Sequence, residues 1–226
     1  MPENAPRPPH QPAAPAEHPP EPALAEALEE AVEAAPGIHR GPIVDRPVPL
    51  SALERAGFLL VTCFGIGHVR PASGTWGSLP PCALVGLAWL LGLRTLEPFG
   101  GAWLAYHAGL LGIVAAFFGT CVVLGPKIER RFGEDPYQCV GDEVAGMAVA
   151  LLFPPAFVFG SFWWIAGYLA IAFLAFRAFD VLKVQPANSA QDLPHGWGIG
   201  TDDLIAGVYA LAGTQLVVRV GFPMFG

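Results

Sequence analysis

Five carboxylates stand out in a chain that otherwise carries few charges. Asp142-Glu143 stand directly before one apolar segment and Asp202-Asp203 before another. Asp180 lies at the end of a third, three residues after Arg177 and three before Lys183. Acids at membrane depth are costly and usually functional. Grouped carboxylates repel one another unless a cation joins them. Mg²⁺ is the natural candidate, because it takes one or two carboxylates, keeps waters and binds phosphate oxygens. The same pairs also suit a structural part, since an acid in the first turn of a helix contributes about 0.3–1 kcal/mol through capping and the macrodipole. On that view Thr201 is the N-cap of the last helix. Neighbouring helical residues diverge by about 100°, so one acid of each pair is expected to ligate while the other orients it or activates water.

A second constellation is Gly65-Ile66-Gly67-His68 followed by Ser73-Gly74-Thr75-Trp76-Gly77-Ser78. Glycines permit positive φ and close approach, and hydroxyls with backbone N–H groups can cradle a phosphate at a helix start. The helix is expected to begin near Pro80-Pro81, which suit a first turn. The plain alternative is an ordinary Gly/Ser turn. Lys183 and Arg177 supply positive charge for a phosphomonoester, or else anchor the chain at a membrane surface. His195, in Pro194-His195-Gly196-Trp197-Gly198, reads as part of a flexible loop where it either transfers protons or simply caps or packs.

The elements that position these groups are apolar helices. Charged residues make up 14% of the 226, against roughly 25% in soluble domains, and the mean hydropathy is +0.47. Both figures point to the bilayer. The uncharged runs 98–126 and 157–176 are long enough to span a membrane, which takes about 20 apolar residues. Segments 79–93, 144–153 and 204–220 are shorter. Strand alternation is absent. The expected fold is all-α: a compact bundle of about five to six apolar helices, integral to or embedded in the membrane. Gly109 and Gly112 have the spacing that lets helix backbones approach, though each taken singly reads as an ordinary glycine of an apolar helix.

Residues 1–50 hold 13 of the 24 prolines and read as a disordered Pro/Ala/Glu-rich tail and linker, with a short helix at 23–35. Residues 51–226 form the membrane-associated helical domain. No cleavable signal peptide is expected at the start. The four cysteines lack C-x-x-C spacing and read as small buried hydrophobes. The net charge of −7 excludes a basic nucleic-acid surface. If loops 65–78, 126–142 and 180–202 share a side, it holds Arg55, Arg70, Lys127, Arg130, Arg131, Arg177 and Lys183. The other side then holds only Arg94 and Arg219, and the positive-inside rule makes the first side cytoplasmic.

Three blocks together resemble the phosphatidylglycerophosphatase A family: Ser73-Gly74-Thr75-Trp76-Gly77-Ser78-Leu79; Gly141-Asp142-Glu143-Val144-Ala145-Gly146-Met147; and Phe176-Arg177-Ala178-Phe179-Asp180-Val181-Leu182-Lys183 leading to Gly198-Ile199-Gly200-Thr201-Asp202-Asp203-Leu204. The likeness covers about residues 55–220. It implies a helical bundle at the bacterial inner membrane. It also implies Mg²⁺-dependent hydrolysis of phosphatidylglycerophosphate to phosphatidylglycerol and inorganic phosphate, in phospholipid biosynthesis. On this reading Asp142, Glu143, Asp202 and Asp203 hold the metal and Asp180 completes its shell or positions water. Ser73, Gly74, Thr75, Gly77, Ser78, Arg177 and Lys183 bind the phosphate. The chain departs from the family pattern at Ser73, Val184 and Thr201, which bears on headgroup choice. Two other functions are compatible with the residues: a polytopic transporter whose acids bind a coupling cation, and a noncatalytic membrane scaffold.

Overall fold

The computed structural model describes residues 50–133 and 136–221, and those residues contain no strand. They form seven α-helices: α1 (Ala52–Val61), α2 (Ser73–Leu90), α3 (Gly101–Phe132), α4 (Gly141–Ala150), α5 (Phe162–Leu182), the one-turn α6 (Ala187–Ala190) and α7 (Gly196–Leu216). Short 3₁₀ turns at Ile66–His68 and Ala156–Gly160 link them, and a π-turn at Val217–Gly221 extends α7. The all-α bundle expected from composition is the architecture found. The proposed tail, with its 23–35 helix, lies outside the described residues.

Local chemistry explains several boundaries. Ser51 and Glu54 form a reciprocal cap: Glu54 N–H donates to Ser51 Oγ at 3.3 Å, and Ser51 N–H donates to Glu54 Oε2 at 2.8 Å. Lys127 on α3 pairs with the same Glu54 and ties α1 to α3. Ser161 Oγ accepts from Trp164 N–H and starts α5. Lys183, at φ 45°, turns the chain out of α5.

At the centre lies α4, whose ten residues rise only about 15 Å and cannot cross a bilayer. It is buried along almost its whole length and packs against α2, α3 and α7. Small residues make this possible. Where α4 meets α7, a Cβ on Gly146 would lie 2.5 Å from the Asp203 carbonyl oxygen, and one on Gly207 would overlap the Gly146 carbonyl. Close packing of this kind, rather than hydrophobic transfer, holds helices together where the surroundings are already apolar. Gly109 and Gly112, by contrast, have no other atom within 4 Å of an added Cβ. The bundle makes no close helix contact there, and the two are ordinary glycines on a face of α3 that points away from it.

Met147, Leu151, Phe159, Tyr168 and Phe176 fill the core. Tyr106 and Tyr168 hydroxyls both donate to the Leu151 carbonyl, at 2.7 and 2.8 Å, just past the end of α4 where helical carbonyls lack partners. α3, α5 and α7 with its extension are long and apolar enough to cross a membrane, and in the most apolar stretch of each at most 28% of the residues are buried. Each therefore keeps a face open to lipid contact. Arg70 stacks on Tyr137, Lys183 pairs with Asp202 and His195 with Glu129, all at one end of the bundle. Arg94 stacks on Trp89 and Arg219 donates to the Phe153 carbonyl at the other.

Candidate active site

Two helices bring the acids together. Asp142 and Glu143 occupy the first turn of α4, as their position in the sequence suggests. Asp202 and Asp203 do not stand before α7; they lie well inside it, because the helix starts at Gly196. Thr201 is therefore an interior residue and not the N-cap, a position taken by His195. The glycine run that reads as a flexible loop is a tightly packed helix start. A Cβ on Gly196 would overlap the Cys121 carbonyl, and one on Gly200 would sit 2.7 Å from the Phe118 ring.

One carboxylate oxygen from each of Asp142, Glu143 and Asp203 lies within 4.8 Å of the other two. Asp142 and Asp203 are only 6% and 5% exposed, so this is an interior cluster rather than a solvated acidic face. Asp180 approaches from α5, its Oδ2 2.5 Å from Arg177 Nη1. Asp202 points elsewhere and accepts from Lys183 Nζ at 2.7 Å. The roughly 100° between helical neighbours thus splits the α7 pair, while both α4 acids face the cluster. Burial, then the neighbouring Glu143 charge, push the Asp142 carboxyl well above the usual range. Burial pushes Glu143 up to about 7, with Asp180 adding and Asp142 and Arg177 opposing.

These donors fit a hard divalent cation. The set is all carboxylate oxygen, and Glu143 Oε2 is buried with no hydrogen-bond partner in the protein. A buried ionised oxygen in that state is costly unless a cation meets it. Mg²⁺ takes such oxygens.

The 73–78 segment is not a loop before a helix; it is the first turns of α2, with Pro80 and Pro81 inside the helix. Gly74 abuts the cluster so closely that a Cβ there would overlap Glu143 Oε1 and sit 3.1 Å from Arg177 Nη1. Thr75 and Trp76 N–H groups donate back to the Ala72 carbonyl. That leaves the Ser73 and Gly74 N–H groups as donors at the positive end of α2. Ser78 is buried and gives its hydroxyl proton to the Gly74 carbonyl at 2.7 Å. Gly77 packs on Val140. Both therefore shape the corner from behind.

Sequence reasoning did not single out the Gly146–Gly207 contact that sets the distance between the two acid-bearing helices. The signal was present, since an Ala-Gly step follows each acid pair at nearly the same offset. His195 is neither free in a loop nor aimed at the acids: its Nδ1 lies 2.7 Å from Glu129 Oε2. No disulfide joins the four cysteines; Cys63, Cys121 and Cys139 are buried as expected, Cys82 only partly, and the Cys121 and Cys139 sulfurs lie 3.8 Å apart.

An acidic cluster, the Arg177 guanidinium and the positive end of α2 meet in one corner. Residues 59–218 match the family model described as phosphatidylglycerophosphatase A. A Haemophilus influenzae protein named phosphatidylglycerophosphatase A is 34% identical over 174 residues, covering 74% of this chain and 91% of that protein. A Bacteroides thetaiotaomicron protein named "Putative phosphatidylinositol-3-phosphatase" is 33% identical over 161 residues, covering 70% of this chain and 92% of that one. No solved structure matches.

Proposed function

The chain belongs to the phosphatidylglycerophosphatase A family, and from that premise we propose that it hydrolyses phosphatidylglycerophosphate to phosphatidylglycerol and inorganic phosphate with Mg²⁺. Residues 51–226 are the catalytic unit. The observation that carries this reading is the meeting of Asp142, Glu143 and Asp203 beside the start of α2. These three residues would hold the metal, which when bound neutralises charge on the phosphate oxygens as the ester bond breaks.

The protein's own groups do the rest. Lys183 and Arg177 draw the phosphomonoester in, and the Ser73 and Gly74 N–H groups orient its oxygens at the end of α2. Arg177 also holds Asp180, which positions the attacking water. Asp202 holds the Lys183 ammonium in place. Such positioning and charge stabilisation supply most of the rate in phosphoryl transfer. The acyl chains stay among the apolar helices, so only the headgroup enters the corner.

With the loops at 65–78, 126–142 and 180–202 on the side of the acids, that side carries seven bases and the other two. By the positive-inside rule the site faces the cytoplasm from the bacterial inner membrane. Phosphate release from phosphatidylglycerophosphate is measured with purified protein in detergent, with Mg²⁺ or EDTA. Phosphatidylinositol 3-phosphate serves as the competing headgroup. Mg²⁺-dependent release from the first lipid, well above the second, is expected. No release from phosphatidylglycerophosphate under any metal condition would overturn the reading.

A further inference from the structure

Outside the acid corner, the described residues hold an apolar groove of about 510 Å³ between α2 and α5. That volume falls in the usual range for ligand sites. Its floor and walls include Leu79, Cys82, Gly86, Trp89, Phe162 and Leu169. Three contacts fix the register of these antiparallel helices. Gly74 meets Arg177 at the acid corner, Gly86 faces Leu169 midway, and Trp89 Nε1 donates to the Phe159 carbonyl at 2.9 Å at the far end. The groove therefore lies farther along the α2–α5 seam that has the acid corner at one end.

Its dimensions are informative. Leu79 lies five residues, about 7.5 Å of helix rise, beyond Gly74. From Leu79 to Leu90 the rise is about 16 Å, close to one leaflet's half of a hydrocarbon core of about 30 Å. The corner at one end of the α2–α5 seam is polar and cationic, through Arg177 and the α2 start, and the groove farther along the seam is lined by apolar residues. This is the polarity order of a phospholipid that has its phosphate in the corner. The groove also opens onto the lipid-facing surface, where Leu87, Leu90 and Phe162 are exposed.

We propose that the α2–α5 groove binds an acyl chain of the lipid whose headgroup is being hydrolysed, an inference that rests on the lipid phosphatase reading above. The groove holds the chain in register with the site, so that the phosphate arrives at the start of α2. It is a substrate subsite and not merely a seat for bulk lipid.

Gly86 gives a clean test, because an added Cβ meets only Leu169 Cδ1, at an ordinary 3.7 Å. Gly86→Ala therefore fits, while Gly86→Leu fills the groove without opening the helix. Full-length protein is assayed with long-chain and dihexanoyl phosphatidylglycerophosphate. Affinity for the same two lipids is measured separately in EDTA by native mass spectrometry. Gly86→Leu should cut the preference for the long chain on the order of tenfold, about what two buried methylenes contribute. Gly86→Ala should keep it, and dihexanoyl turnover should stay near wild type. An unchanged preference in Gly86→Leu would overturn the subsite and leave bulk lipid as the occupant. So would an equal loss for both chain lengths. If wild-type protein hydrolyses neither lipid yet binds the long chain in a Gly86-dependent way, the groove stands and the phosphatase reading falls.

Discussion

Gly74 at the start of α2 lies against the Glu143 carboxylate of α4, with no room between them for a methyl group. Two of the sequence blocks thus meet at a single atom-sized gap, and glycine is the residue that fits it. Gly74→Ala should push the Glu143 carboxylate or the α2 start out of place. Displacements near 1 Å can cost about 100-fold in rate. A fall of that size in turnover, with the helical circular dichroism of the wild type, is expected. Wild-type turnover would mean that the α2 start takes no part.

The α7 aspartates face different partners, so their substitutions should separate. Asp203 joins Asp142 and Glu143, whereas Asp202 meets Lys183. Asp203→Asn and Asp142→Asn should each lower turnover at least about 100-fold, the scale of a lost electrostatic contact in a transition state. Both should also raise the Mg²⁺ concentration needed for half-maximal activity. Near-normal activity in both variants would remove the acid cluster from the chemistry.

Lys183 ends α5 with a left-handed backbone that swings its side chain toward Asp202. A charged hydrogen bond is worth about 1.5–3 kcal/mol, so Lys183→Ala should raise the KM for the lipid at least tenfold and change kcat less. Steady-state kinetics over a range of lipid mole fraction reads this. A fall in kcat at unchanged KM would assign Lys183 to the chemical step instead of to binding.

Much of this was legible in the chain. Uncharged runs marked the apolar helices, and the low charge content marked their setting. The first-turn place of Asp142 and Glu143 followed from the border between polar and apolar residues. Helix starts were misread where glycines dominate: α2 and α7 each begin several residues before the expected point. Glycine normally argues for a turn, yet in Gly196, Gly198 and Gly200 it permits contact with backbone and rings of other elements. That demand comes from tertiary packing and leaves no local signature. The same limit explains Gly109 and Gly112, whose spacing suggests a contact that the bundle does not make.

Burial raises the Glu143 carboxyl to about 7, above its ordinary 4.5. Without metal, the native state then binds more protons than the unfolded chain between those values. Stability must therefore fall as pH rises through that window. In EDTA, the melting temperature in detergent should decrease from about pH 5 to pH 7, and Glu143→Gln should flatten the slope. Saturating Mg²⁺ should flatten it too, because the bound cation favours the ionised carboxylate. A melting temperature that climbs with pH in EDTA would contradict the raised Glu143 carboxyl.

The distance between the acids of α4 and those of α7 is set where Gly207 lies on the Gly146 carbonyl. A Cβ at Gly207 would overlap backbone, which cannot rotate aside as a side chain would. Overpacking of this kind costs about 1–3 kcal/mol, and here it would also part Asp203 from Glu143. Gly207→Ala should lower the melting temperature and weaken Mg²⁺ dependence together. Gly109→Ala, on the open face of α3, should leave Mg²⁺ dependence unchanged and hold or raise the melting temperature, since alanine favours helix and nothing lies within 4 Å. If the two variants behave alike, the α4–α7 crossing does not set the spacing of the acids.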